Sequence, residues 1–340
     1  MSETISRSGT GLGSMFAFVR RDMRAKRTYK LGMTLGILNT LMAALTYAFL
    51  GQNAQLPGLA KGVSFVTFLI VGVAFNEFMI ESLKAVQKSI SPSELEEILS
   101  LPVRLRVFVV GNVLWGYIWH GINALAYLTV GILFFGVTFG AVDYGGAVIT
   151  LVLGIALMLS FSLLASGVLL VTKQGDLVQW VIGALGALFS GVYFPIALLP
   201  TSLQSVSWFL PQTYFLALIR EALSGHQLIK VVVGPGSAGD AILFSLSFAA
   251  ILLSVLAAYA VLYSGRPKSE GHPAVAFLLM GFVPATTLLS VPILSGVVTI
   301  SVHQLLVQLM VYALVMLPIG YVAFRKGLSA TKIRGTLYHV

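Results

Sequence analysis

No cysteine occurs in the 340 residues, which excludes disulfides, thiolate metal sites and a cysteine nucleophile. Charge is nearly as scarce. Asp, Glu, Lys and Arg make up 10% of the chain, against about a quarter in soluble domains, so a soluble fold is excluded. A phosphate loop of the form G-x-x-x-x-G-K-[ST] is missing, so the chain does not hold ATP by itself. H-E-x-x-H and a D-x-x-D pair are missing too, which argues against a metalloprotease and against a prenyl or phosphatidyl transferase. The histidines His120, His226, His272, His303 and His339 are scattered over apolar runs and connections. No metal set and no catalytic residue emerges from these patterns, and there is neither a fixed-period repeat nor a soluble domain.

What the chain does have is apolar length. It is 57% hydrophobic, and its uncharged runs fall at about 31–50, 62–83, 105–136, 146–171, 177–198, 241–264, 274–296 and 302–323. Each is long enough to cross a hydrocarbon core of about 30 Å at about 1.5 Å per residue. The expected fold class is therefore an all-α polytopic integral membrane protein with about eight transmembrane helices. The net charge of +9 does not point to nucleic acid. With the N-terminus inside, all but Lys61, Arg220 and Lys230 of the 21 Lys and Arg fall in cytoplasmic connections, which places both termini in the cytoplasm. The first run follows "RRDMRAKRTYK" but is longer than a signal-peptide core, and reads as a retained anchor.

Residues 1–30 form a cytoplasmic N-terminus. "MFAFVRRDMRAKR" puts Phe16, Val19 and Met23 on one helical face with Arg20, Arg24 and Arg27 beside it, suited to the anionic inner headgroup layer. The same charges also serve orientation alone on an irregular segment. The third run would measure near 48 Å as one helix, so it is tilted, bent at a glycine or extended into the cytoplasm. Between the fifth and sixth runs, about 199–230 is semi-apolar, aromatic and broken at Pro200 and Pro211, which suggests short re-entrant or interfacial helices on the outer side.

Ionisable groups in the runs are few. Glu77 and Glu81 fall near the cytoplasmic end of the second run and Asp176 begins the fifth, so each reaches water. His120 with Asn123 is the most membrane-buried polar pair. In an ATP-independent carrier or channel, His120, Asn123, Glu77 and Asp176 would be the working groups. The plainer reading of His120 is a neutral imidazole hydrogen-bonded between helices.

Against this background "SPSELEEILSLPV", residues 91–103, is unusual, because Glu94, Glu96 and Glu97 are a quarter of the chain's 12 acidic residues. Ser91 fits an N-cap, Pro92 the first helical position and Glu94 the closing residue of a capping box, while Pro102 ends the helix. Leu95, Ile98 and Leu99 make an apolar face. So short a helix is marginal alone, and its acidity unsuits it to the anionic inner leaflet. Either it packs on its own transmembrane helices or it is presented to a cytoplasmic partner. Glu77, Glu81, Lys84 and Lys88 share a helical face just before it, so the second run continues as a stalk.

The order of these segments resembles the type-2 ATP-binding-cassette (ABC) transporter permease family, the six-helix exporter membrane domains. Leu95, Glu96, Leu99, Pro102 and Val103 match its cytoplasmic stretch. Ser190, Gly191, Tyr193, Phe194, Pro195, Leu199, Pro200, Pro211, Thr213, Tyr214, Arg220 and Gly225 match a second, more specific one. The resemblance covers about residues 15–264. It implies a transport subunit without catalytic residues of its own, in the cell membrane, that exports a hydrophobic or amphipathic substrate such as a drug, lipid or glycan. A separate nucleotide-binding ATPase would carry ATP and Mg, and two permease copies would assemble as a homo- or heterodimer amid membrane lipid.

It further implies that Glu94, Leu95, Glu96, Glu97, Ile98 and Leu99 form the coupling helix, about 91–101, that contacts the ATPase. Asn39, Gly183, Ala187, Gly191, Tyr193 and Phe194 are the residues assigned to the dimer interface or translocation path. Gly183, Ala187 and Gly191 recur every four residues and would permit close packing between copies or within one. On this plan 31–264 is a six-span core and 265–340 an additional two-span hairpin with a basic tail. Alternatively 302–323 is the family's last helix and a pair was inserted earlier.

Overall fold

The structure is a computed structural model that describes residues 11–28, 30–52, 64–89, 105–172, 179, 181–224, 230–231, 238–263, 298–299 and 301–334. Its helices are α1 (Gly11–Thr28), α2 (Lys30–Gln52), α3 (Phe65–Ser89), α4 (Leu105–Phe135) and α5 (Tyr144–Thr172). A π-helical turn, Val181–Leu185, runs into α6 (Gly186–Phe189). Then come α7 (Thr201–Phe209), α8 (Pro211–Ser224), α9 (Ala238–Tyr263) and α10 (Val302–Arg334). The extended structure among the described residues is one two-residue pair, β1 (Lys230–Val231) antiparallel to β2 (Val298–Thr299).

Among the described residues five helices carry membrane-length apolar windows: Thr34–Gly51, Phe65–Ser89, Val113–Phe135, Tyr144–Leu170 and Val302–Ser329. They coincide with five of the runs read from sequence. Helix α9 holds a shorter apolar stretch, Ser245–Leu256. The run 274–296 and the proposed coupling helix lie outside the described residues. The run at 177–198 differs from expectation: its helix stops at Phe189 because Gly191 turns the chain at φ +74°, followed by Pro195. The third run is one continuous helix, Leu105–Phe135.

Local signals explain where helices end. Gly136, at φ +64°, closes α4, and the Val137 N–H donates to Gly131 O at 3.1 Å, which satisfies a carbonyl of the last turns. The Asp143 carboxylate accepts from the Gly146 N–H at 3.0 Å and caps α5. Ser301 and Gln304 cap α10 reciprocally: the Ser301 N–H donates to Gln304 Oε1 at 3.0 Å and the Gln304 N–H to Ser301 Oγ at 3.3 Å. Some hydroxyls within the apolar helices bond back to the preceding turn, as Thr46 to Met42 O (2.8 Å) and Thr129 to Leu125 O (2.8 Å) do, and so do not need water.

Helix α3 is the hub, packed by α2, α4, α5 and α8. Helix α10 lies along α5 over a seam of small residues. A Cβ on Gly320 would come within 2.3 Å of Ser160 O, and one on Gly327 within 2.5 Å of Gly167 O. Gly320 and Gly327 are seven apart, as are Ser160 and Gly167, so backbones touch once every two turns. Beneath α7 and α8 the rings of Trp208, Tyr214, Tyr312, Phe248 and Phe161 form one buried aromatic cluster. The Tyr312 hydroxyl donates to Phe209 O at 2.9 Å, which ties α10 to α7.

Candidate functional site

The chain between α6 and α8 forms a strap and a helix pair too short to cross a bilayer, folded back onto the bundle. Pro211 sets the break between α7 and α8, where the Thr213 and Tyr214 hydroxyls donate to the carbonyls of Ser207 and Trp208. Every residue of α8 from Pro211 to Arg220 is buried. Gly186 of α6 abuts the Gln212 side chain with no room for a Cβ, which seats the strap's first helix on α8.

Arg220 holds the strap closed. Its Nη1 donates to Gly191 O at 2.7 Å and its Nη2 to Val192 O at 3.1 Å and to Phe68 O of α3 at 3.2 Å. The guanidinium lies 3.7 Å from the centroid of the Phe68 ring. A planar fork serves three carbonyls and an aromatic face at once, which an ammonium would not do. Burial lowers Arg220 to about 9, so it stays charged at neutral pH. Gly72 makes the fit possible, because a Cβ there would sit 2.1 Å from Arg220 Nη2 and 2.4 Å from Val192 O. Gly191 is needed for its positive φ, and its own carbonyl is the nearest acceptor to the arginine.

The residues nominated from sequence are distributed unevenly around this latch. Glu94, Leu95, Glu96, Glu97, Ile98, Leu99 and Asp176 lie outside the described residues. Gly191 belongs to the latch itself, whereas Tyr193 and Phe194 are half-buried just beyond it. The expected four-residue helical stripe therefore ends at Ala187, with Gly191 already in the turn. Gly183 comes near Ile80 of α3. Asn39 is exposed on α2, and His120 and Asn123 are half-buried on α4.

Helix α3 continues past the second run to Ser89, with Glu77 at the helix midpoint and Glu81 one turn further on. The stalk face itself is present: Lys84 Nζ pairs with Glu81 Oε1 at 2.5 Å, and Lys88 is exposed one turn on. Gly72 and the latching role of Arg220 were missed. Their one signal was a glycine amid bulky residues in "LIVGVAF".

Membrane-length helices around a buried hub, with a short helix pair folded back and latched across one end, describe a polytopic membrane permease. The family model described as ABC-2 type transporter matches residues 14–223, from α1 through the latch. The chain belongs to the ABC-2 type transporter family, and is a multi-pass permease subunit of an ABC transporter. No curated protein and no solved structure matches it.

Proposed function

We propose that this permease exports a hydrophobic or amphipathic substrate across the cell membrane, driven by ATP that a separate nucleotide-binding subunit hydrolyses. ATP and Mg reside on that partner, and two permease copies face each other in the working assembly. The observation that carries this reading is the family match, which runs across 91–103 and includes the whole latch. The acidic, Pro-bounded segment there supplies the coupling helix, with Leu95, Ile98 and Leu99 as its apolar contact face. The distribution of Lys and Arg supports cytoplasmic termini. The packing of α10 on α5, α8 and α9 supports taking 302–323 as the family's last helix, because Tyr312 lies fully buried in the cluster beneath α8.

Affinity purification of the tagged full-length protein tests the proposal. An ATPase bearing a Walker A motif is expected to co-purify, and to be lost when Glu94, Glu96 and Glu97 are all changed to Lys. Association that survives the triple change counts against the coupling helix. Absence of any ATPase favours an ATP-independent carrier instead.

A further inference from the structure

The arginine that latches the strap has an N–H to spare. Arg220 Nη1 and Nη2 serve the carbonyls of Gly191, Val192 and Phe68, whereas Nε is buried without a hydrogen-bond partner among the described residues. The residue is 5% exposed, and no carboxylate of the described residues stands at ion-pair distance from it. A buried guanidinium is ordinarily matched by an acid. Here carbonyl dipoles and the Phe68 ring are all that face the charge.

Arg220 borders a cavity of about 10 Å³, partly open to the exterior, where the first two turns of α3, the α4–α5 connection and the last turn of α8 meet. Thr67 borders the same cavity, and its Oγ1 is likewise buried without a partner among the described residues. The remaining walls are the apolar side chains of Phe68, Val71, Phe139 and Leu223, with Ser224, whose hydroxyl donates to Arg220 O at 2.6 Å. Two orphaned polar groups, one of them cationic, therefore share one small space.

Size and polarity select what fills it. Such a volume admits one water or one monatomic ion and is too small for phosphate, sulfate or a carboxylate-bearing substrate. Arg220 Nε only donates, so the occupant has to accept, and a metal cation is ruled out. A water satisfies both groups but leaves the charge uncompensated, whereas a halide does both. Thr67 lies in the first turn of α3, where the helix dipole favours an anion. The opposing end of α8 has its nearby carbonyls occupied, Arg220 O by Ser224 and Ala222 O by the Asp143 N–H at 2.8 Å. We propose that this cavity binds a halide, chloride under physiological conditions, between Arg220 Nε and Thr67 Oγ1. The same guanidinium holds Gly191 and Val192, so the ion neutralises the latch and makes closure of the strap anion-dependent. The site goes beyond the permease reading and does not rest on it.

The test follows thermal unfolding of the full-length protein in nanodiscs of zwitterionic lipid. Chloride replaces gluconate, an anion too large for the cavity, at constant ionic strength. The unfolding midpoint is expected to rise saturably by about 2–5 °C, and bromide should act alike. Thr67→Val should raise the half-saturating chloride concentration at least about fivefold, and Thr67→Ser should restore it to within about twofold of the parent. A hydroxyl with a merely structural role would lower the midpoint in both anions and leave half-saturation unmoved.

If Thr67→Val does not assemble, anomalous scattering from bromide-grown crystals of the parent decides, with a peak expected beside Arg220 Nε and Thr67 Oγ1. Equal midpoints in chloride and gluconate, half-saturation unmoved in Thr67→Val, or no bromide in the cavity overturns the site and leaves the space to water. A rise that never saturates marks general exclusion of salt from the surface and overturns it as well.

Discussion

Helix α8 includes Gln212, Thr213, Arg220, Glu221 and Ser224 among its 14 residues, and twelve of the 14 are buried. Helix α4 is apolar along most of its 31 residues, yet only 28% of its window Val113–Phe135 is buried inside the protein. The polar short helix is inside and the greasy long one is outside. In water the order would be reversed. In a bilayer an apolar side chain is as well placed against lipid as against protein, whereas a backbone carbonyl or a guanidinium has to find a protein partner. Through Arg220, α8 collects two carbonyls from the strap and one from α3.

The largest effect that would break this comparison is expected at Arg220. Arg220→Met leaves the carbonyls of Gly191, Val192 and Phe68 without their donor in a buried site. The loss should be at least about 3 kcal/mol, read as a lowered unfolding midpoint in mixed micelles. Arg220→Lys should recover less than half of it, because a point charge does not reach three carbonyls together. A Met variant as stable as the parent would mean that α8 is held by its apolar contacts alone.

A smaller loss, about 1–3 kcal/mol, is expected for Gly320→Val at the seam of α5 and α10. The obstruction there is backbone, Ser160 O at 2.3 Å from a Cβ, so α5 and α10 must separate by about an ångström to restore ordinary contact. No polar group is orphaned, which is why this change ranks below Arg220→Met. The ratio of the two effects measures how far polar satisfaction outweighs close packing in this protein.

Much of the helix layout was legible because run length against bilayer thickness is a one-dimensional signal. What joins distant parts of the chain was not. Arg220 stands 29 residues from Gly191 and 152 from Phe68 in sequence, so its partners came into view only when α3, the strap and α8 met. The seven-residue spacing of Gly320 and Gly327, matched by Ser160 and Gly167, was visible but meaningless until α5 and α10 were known to be neighbours. The run 177–198 read as one span because hydropathy weighs Gly191 and Pro195 as ordinary residues, although one turns the chain and the other prevents its return to helix.

The smallest effects should lie on the open face of α4, where Ile118, Ile122, Leu125 and Ile132 follow one another at helical spacing and are 41–63% exposed. Thr129 shares that face and hydrogen-bonds Leu125 O within its own helix, so the surface asks nothing polar of its surroundings. Ile122→Ala and Leu125→Ala should each change stability by no more than about 0.5 kcal/mol, because acyl chains fill the space that the side chain leaves. The same truncation at Leu157 of α5, which is fully buried, should cost about 2–5 kcal/mol, because lipid does not enter to refill the cavity. If the α4 truncations approach the Leu157 value, that face is covered by protein, and the contrast between α8 and α4 becomes one between two kinds of buried surface.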